Sequence, residues 1–204
     1  MAHTLSTKHA ILGAALVLVL APSARAQERM PAISKDKLTP EQLKLGNLAG
    51  PWIPLSRSPE VAKLMIDMRS HVASRTLLPL DLTEIPILIA AREWSQQFEW
   101  NAHEGIATKA GLKPEIIAAI KEGRRPRGMS EAEESLYDFC MELQRSKGVS
   151  DITYDRALKA LGGEDKIVEA VALQGYYSLL AMVMNVNRTP LGAGAKPLPL
   201  LPAR

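Results

Sequence analysis

Glu99 and His103 stand four residues apart in the run Gln97-Phe98-Glu99-Trp100-Asn101-Ala102-His103. On a helix this spacing puts both side chains on one face within mutual reach, where a carboxylate orients an imidazole and raises its pKa. The pair is an acid–base couple in principle. Polar residues at the same spacing are also common on solvated helix faces, so spacing alone leaves both readings open. Trp94, Phe98 and Trp100 crowd this stretch of a chain that is only 4% aromatic. Such rings can wall a dry pocket in which proton-transfer groups are tuned. Glu84, followed by Pro86, is a second carboxylate nearby; with Asp81 or Thr83 it reads equally well as helix-start chemistry favoured by the macrodipole. One imidazole and two carboxylates are too sparse a set to claim a metal site.

Other chemistries have little to stand on. The single cysteine, Cys140, excludes an intrachain disulfide framework, a clustered-cysteine zinc site and, within one chain, a pair of neighbouring redox thiols. Neither Ser95 nor Ser135 lies in a nucleophile-elbow setting, and no glycine-rich loop follows a strand, so triad hydrolases and nucleotide folds lack support. The formal charge of +3 includes Lys8 and Arg25, and the chain without them sits near +1. That balance argues against a nucleic-acid partner, and Arg124, Arg125 and Arg127, set among Gly123, Pro126 and Gly128, read as a solvated loop.

The elements that must position these residues follow from periodicity. Residues 1–26 read as a secretory leader: Lys8 with no acid, an apolar run of about 12 from Ala10 to Ala21, and the small-x-small pattern Ala24-Arg25-Ala26. A run that short does not span a bilayer about 30 Å thick. An exported, periplasmic protein with no membrane span after cleavage is expected. Residues 27–56, with Pro31, Pro40, Pro51 and Pro54, form an extended arm holding at most a short helix near Pro40 to Leu48.

Ser58-Pro59 then starts a helix in which Val61, Leu64, Met65, Met68 and Val72 recur at helical spacing. Helices follow from Leu82 to Trp94 and from Gln96 to Ala110, the latter stopped by Gly111. Pro114 opens a short one. Ser130 with Glu133 makes a capping box for a helix burying Leu136, Phe139, Cys140 and Leu143. Asp151 to Leu161 adds another, and the run Ile167 to Val186 should be the most buried. No alternating strand pattern appears, so the domain of 57–188 is read as an all-α bundle, with 189–204 as C-terminal coil.

Taken together, Thr83-Glu84, Ala90-Ala91-Arg92-Glu93-Trp94, Gln97 through Ala107 and Ala110-Gly111-Leu112 resemble the carboxymuconolactone decarboxylase family of the alkylhydroperoxidase-like superfamily, in its thiol-free E-W-x-x-H form. The core of the resemblance covers about 81–123. It implies an alkylhydroperoxidase-like helical bundle assembled as a homo-oligomer, a trimer or hexamer, with active sites near helix and subunit boundaries. The superfamily's peroxidases carry a glutamate, a C-x-x-C pair and a histidine. Laid on that pattern, Glu84 takes the glutamate position, Gln96 and Glu99 the two thiols, and His103 the histidine. A disulfide-cycling peroxidase needs both thiols, which an amide and a carboxylate do not replace.

In the decarboxylase form the resemblance implies a cofactor-free reaction on a small carboxylated lactone or related acid. His103 would be the general acid–base, Glu99 its orienting partner and Glu84 a second carboxylate holding the pair. Arg92, Gln96 and Trp100 would form the substrate-binding set, although Arg92 reads more readily as a helix-surface arginine. Export and the segment Gly50-Pro51-Trp52-Ile53-Pro54 set this chain apart from cytoplasmic decarboxylases and point to a different substrate in the same class. Two further readings stand behind this one: a peroxidase by superfamily, opposed by the missing thiols, and a non-catalytic binding protein on the same scaffold.

Overall fold

A computed structural model describes residues 27–46, 48–74, 76–192 and 194–201, so the expected leader lies outside the described residues. Among these residues the regular elements are a 3-10 turn at Lys35–Lys37 and nine α-helices, with no strand. They are α1 (Pro40–Lys44), α2 (Trp52–Leu55), α3 (Pro59–Ser74), α4 (Leu80–Glu93), α5 (Gln97–Ala110), α6 (Pro114–Lys121), α7 (Glu131–Ser146), α8 (Asp151–Leu161) and α9 (Glu164–Asn187). The all-α class and the capping box that opens α7 agree with the sequence reading. Glu133 N donates to Ser130 Oγ, and Ser130 N donates to Glu133 Oε2 at 2.6 Å.

The centre of the bundle is α4, which packs on α5, α6, α7 and α9. Because neighbours cover it on every side, all residues from Leu82 to Arg92 are buried. This corrects the expectation that the segment within α9 would be the most buried. Helix α9 is long and apolar enough to cross a membrane by length and composition, with mean hydropathy 1.5, and 61% of that window is buried inside the bundle. Its remaining face carries Val168, Val171, Leu179, Met182 and Val186, all exposed. A helix with one side packed and the other apolar and open scores as hydrophobic all round in the sequence, which is why its pattern overstated its burial.

The arm is more ordered than its prolines implied. Thr39 and Gln42 form a capping box on α1, and Gln42 Nε2 reaches back to the Ser56 carbonyl at 3.0 Å. Helix α2 was not foreseen. Pro51 and Pro54 fall in or before its first turn, where a missing N–H costs nothing. Near the start of the arm, Met30 N donates to Asn187 Oδ1 at 2.7 Å and Asn187 Nδ2 donates to Glu28 Oε1 at 2.8 Å, tying it to the end of α9. The C-terminal coil is a strap: Leu198 is buried, its N–H donates to Gln97 Oε1 at 2.7 Å, and the Lys196 carbonyl accepts from Asn101.

Cys140 is wholly buried, and burial pushes its thiol far up from its ordinary value. Arg124 and Arg125 are neutralised by Glu122, Glu134 and Asp138.

Gly50, with φ of 55°, brings the arm against the edge of the Phe98 ring, leaving no room for a Cβ. Gly50→Ala is expected to cost about 1–3 kcal/mol, from the left-handed backbone and from overpacking. Denaturant unfolding measures it, and an unchanged midpoint would show that the arm does not press on Phe98 in solution.

Candidate active site

The turn Trp94-Ser95-Gln96 reverses the chain so that α5 lies against α4. Ser95 takes a left-handed conformation, and Gln96 N bonds the Ala91 carbonyl at 2.8 Å. Gln96 then caps α5, its Oε1 accepting from Phe98 N at 2.6 Å and from Glu99 N at 3.3 Å. Its Nε2 donates to Asn185 Oδ1 at 3.1 Å, and Asn185 Nδ2 donates to the Trp94 carbonyl, so the start of α5 is clamped onto α9. Glu99 sits in the first turn of α5, where the exposed amides favour negative charge.

Glu84 from α4 and Glu99 from α5 meet His103 from opposite sides of its ring. Glu84 Oε2 is 2.9 Å from Nδ1, and Glu99 Oε1 is 3.4 Å from Nε2. A neutral imidazole can donate from one nitrogen only, so two carboxylate acceptors are both satisfied only by the imidazolium. Burial disfavours that charge, yet the hydrogen bonds and negative charges of Glu84 and Glu99 outweigh it, and the His103 pKa is pushed up to about 9. Two carboxylates and one imidazolium leave the trio with one net negative charge. Because the carboxylates flank the ring, they do not converge on a point where an ion could sit. Among the described residues no group of His, Cys, Asp or Glu forms a metal-ligand set.

The trio faces a cavity of about 410 Å³, within the range of small-molecule sites. Tyr177 packs edge-on to His103, with centroids 4.8 Å apart at 79°, and Tyr176 packs edge-on to Tyr177. Burial raises both phenols, and the charges of Glu99 and Glu84 raise Tyr177 further, so both stay neutral donors. The Tyr176 hydroxyl donates to the Met65 carbonyl of α3 at 3.2 Å. Phe98, Trp52 and Ile87 supply apolar wall, and Arg69 and Val72 of α3 complete one side.

Glu84, Glu99 and His103 are therefore brought together, whereas Arg92, Gln96 and Trp100 do not line this cavity. Arg92 is 2% exposed and its guanidinium donates to the Pro199 carbonyl at 2.6 Å, so it fastens the C-terminal strap; this also corrects the reading of it as a helix-surface arginine. Gln96 is consumed by capping. Trp100 is wholly buried on the far side of α5, its ring 5.9 Å from the Lys121 ammonium of α6. Tyr176, Tyr177 and Arg69 were not singled out from the sequence. Two adjacent tyrosines in an otherwise apolar run were a usable signal, since the chain has only 4. Arg69 gave none.

No protein-family model matches the chain, and no curated protein matches it. Solved structures share its fold. One is a protein of unknown function from Agrobacterium tumefaciens bearing the name of the antioxidant defence protein AhpD. It is 18% identical with TM-score 0.56, over 68% of this chain and 95% of that one. A peroxidase-related protein with an alkylhydroperoxidase AhpD core, from Ralstonia eutropha JMP134, is 12% identical with TM-score 0.65, over 81% and 93%. A variant of the debrominase Bmp8, in complex with 2,3,4-tribromopyrrole, is 14% identical with TM-score 0.65, over 83% and 95%. At such identities the likeness carries the fold and nothing finer: the chain has an all-helical fold similar to that of AhpD-like proteins.

Proposed function

We propose that the protein is a cofactor-free acid–base enzyme of the carboxymuconolactone decarboxylase type, a carboxy-lyase or isomerase for a small carboxylated lactone or related acid. The observation that carries this reading is the imidazole of His103 held between two buried carboxylates at the wall of a cavity of about 410 Å³. When the substrate's carboxylate leaves as carbon dioxide, the bonding pair passes into the conjugated carbonyl. His103 delivers the proton of Nε2, the nitrogen held more loosely at 3.4 Å from Glu99, to carbon and becomes neutral; Glu84 and Glu99 hold the ring in place and favour return of the charged form, which solvent regenerates by supplying a proton. Neutral Tyr176 and Tyr177 keep the site dry and low in dielectric.

Peroxide chemistry is weaker on the same residues. The positions that would carry thiols hold a capping amide and a carboxylate bound to His103, and Cys140 is sealed in the core. The names of two fold neighbours refer to peroxidase or antioxidant roles, but their identities of 12% and 18% do not transfer an activity.

The proposal includes export, supported by the leader-like residues 1–26, and self-association into a trimer or hexamer, supported by the α9 face. There Val168, Val171, Gly175, Leu179, Met182 and Val186 recur at three- and four-residue steps with no charge among them.

Three outcomes are expected. In a screen of lactone and β-keto acids read by carbon dioxide release, His103→Gln lowers turnover about a hundred- to ten-thousandfold with an unchanged helical dichroism spectrum. Wild-type rates in that variant would remove His103 from the chemistry.

The second outcome concerns pH. The folded pKa of His103, about 9, lies above its ordinary value of 6.5. Its contribution to stability is therefore full below about pH 6.5 and is lost as pH rises through about 9. Proton delivery falls over the upper part of that window. NMR titration of the His103 ring should give a midpoint near 9; a midpoint near 6.5 would mean the carboxylates do not hold it.

The third is a solution mass of several chains by light scattering, reduced by the paired change Leu179→Lys and Met182→Lys. A monomeric wild type would refute self-association through α9.

A further inference from the structure

The cavity has a cationic side that the proton chemistry leaves unused. Helix α3 presents Arg69, Val72 and Ala73 to it. Among the described lining residues Arg69 is the only lysine or arginine, and none of the described carboxylates lies within ion-pair distance of it. Its near neighbour on the same helix, Lys63, is paired with Asp67 at 2.6 Å, and Arg145 of α7 is paired with Glu93 at 3.1 Å. Arg69 is exposed, and its positive charge reaches the phenols of both Tyr176 and Tyr177, where it works against the upward push of burial. The guanidinium thus stands at the open side of the cavity, near the two rings.

On the same lining, the trio offers little to an incoming anion. Both ring nitrogens of His103 are engaged by Glu84 and Glu99, and the group as a whole is negative. A small acid entering with its charged end toward the trio would meet two carboxylates with no spare N–H between them. With its charged end toward α3 it meets a planar donor fork that suits a carboxylate. Arg69 and the trio together are neutral, so the cavity tolerates one added negative charge better than two. That favours a monocarboxylate over a phosphate dianion.

Resting on the acid–base reading above, we propose that Arg69 is the specificity residue of this cavity, anchoring the carboxylate of a small flat ring acid so that the ring lies along Tyr177 and its far side meets His103. Anchored in this way, a monoacid keeps its carboxylate, and the proton chemistry at His103 acts on the far side of its ring, which is the isomerase form of the reading above.

The test uses an unreactive pair of probes, 2-furoate and 2-furamide, titrated into the full mature chain near neutral pH while the His103 and tyrosine ring signals are followed by NMR. Furoate is expected to shift these signals saturably, and furamide to bind at least about tenfold more weakly. Arg69→Gln should weaken furoate at least about tenfold while leaving furamide unchanged, and Arg69→Lys should recover part of the loss.

Equal binding of acid and amide, furoate binding unaffected by Arg69→Gln, or no furoate binding at millimolar concentration would each overturn the assignment. Because neither probe turns over, the result is independent of the chemistry. Arg69-dependent binding without carbon dioxide release from any lactone acid would sink the decarboxylase reading and leave the anchor standing. A His103-dependent lyase whose furoate affinity ignores Arg69 would do the reverse.

Discussion

Three ionisable groups are buried together here, and the rest of the molecule is arranged around the cost of keeping them there. Each charge taken out of water alone is expensive, and the penalty is offset only when partners are close and their remaining hydrogen-bonding capacity is used. His103 between Glu84 and Glu99 meets that condition, with one carboxylate from each of two adjacent helices. The arrangement needs α4 to be covered on all sides, because a solvated Glu84 would be screened and free to turn away. It needs α5 to begin at a fixed place, which the Gln96 cap and its bond to Asn185 provide. The hydrophobic core supplies the free energy, and the polar clamps decide where it is spent.

The parts of this design differ in how far the sequence discloses them. Glu99 and His103 are adjacent through the helical repeat alone, so their pairing was readable before any fold was known. Glu84 was ambiguous on spacing, because a carboxylate in the first turns of a helix has a sufficient local reason to be there; only the packing of α4 on α5 turns it toward the imidazole. Arg92 and Trp100 were misplaced for a related reason. Periodicity indicates that a helix has a buried side, not which of several neighbours that side meets, and both residues point away from the cavity. Arg69, Tyr176 and Tyr177 come from α3 and α9, far along the chain, and reach the site only through tertiary packing.

Irregular segments carry more of the fold than their composition announced. The arm that looked extended is pinned at Asn187, capped at Thr39 and pressed on Phe98 through Gly50. The tail that looked like coil closes over Arg92, Gln97 and Asn101. Both contribute to the same end, since they cover flanks of α4, α5 and α9 that a bare bundle would leave wet. Prolines and glycines mark where helices cannot run; they say little about whether the chain between is held.

Gln96 illustrates how a scaffold commits itself. Its amide oxygen stoppers two backbone donors at the head of α5, and its amide nitrogen grips a neighbouring helix. A sulfhydryl at that place would be too weak an acceptor for the first task and only a weak, shorter-reaching donor for the second. Exchanging Gln96 and Glu99 for cysteines would thus undo a helix start and an imidazolium partner in one step. The identity of that one side chain, Gln96, is therefore tied to the stability of the bundle, whatever chemistry the neighbouring cavity performs.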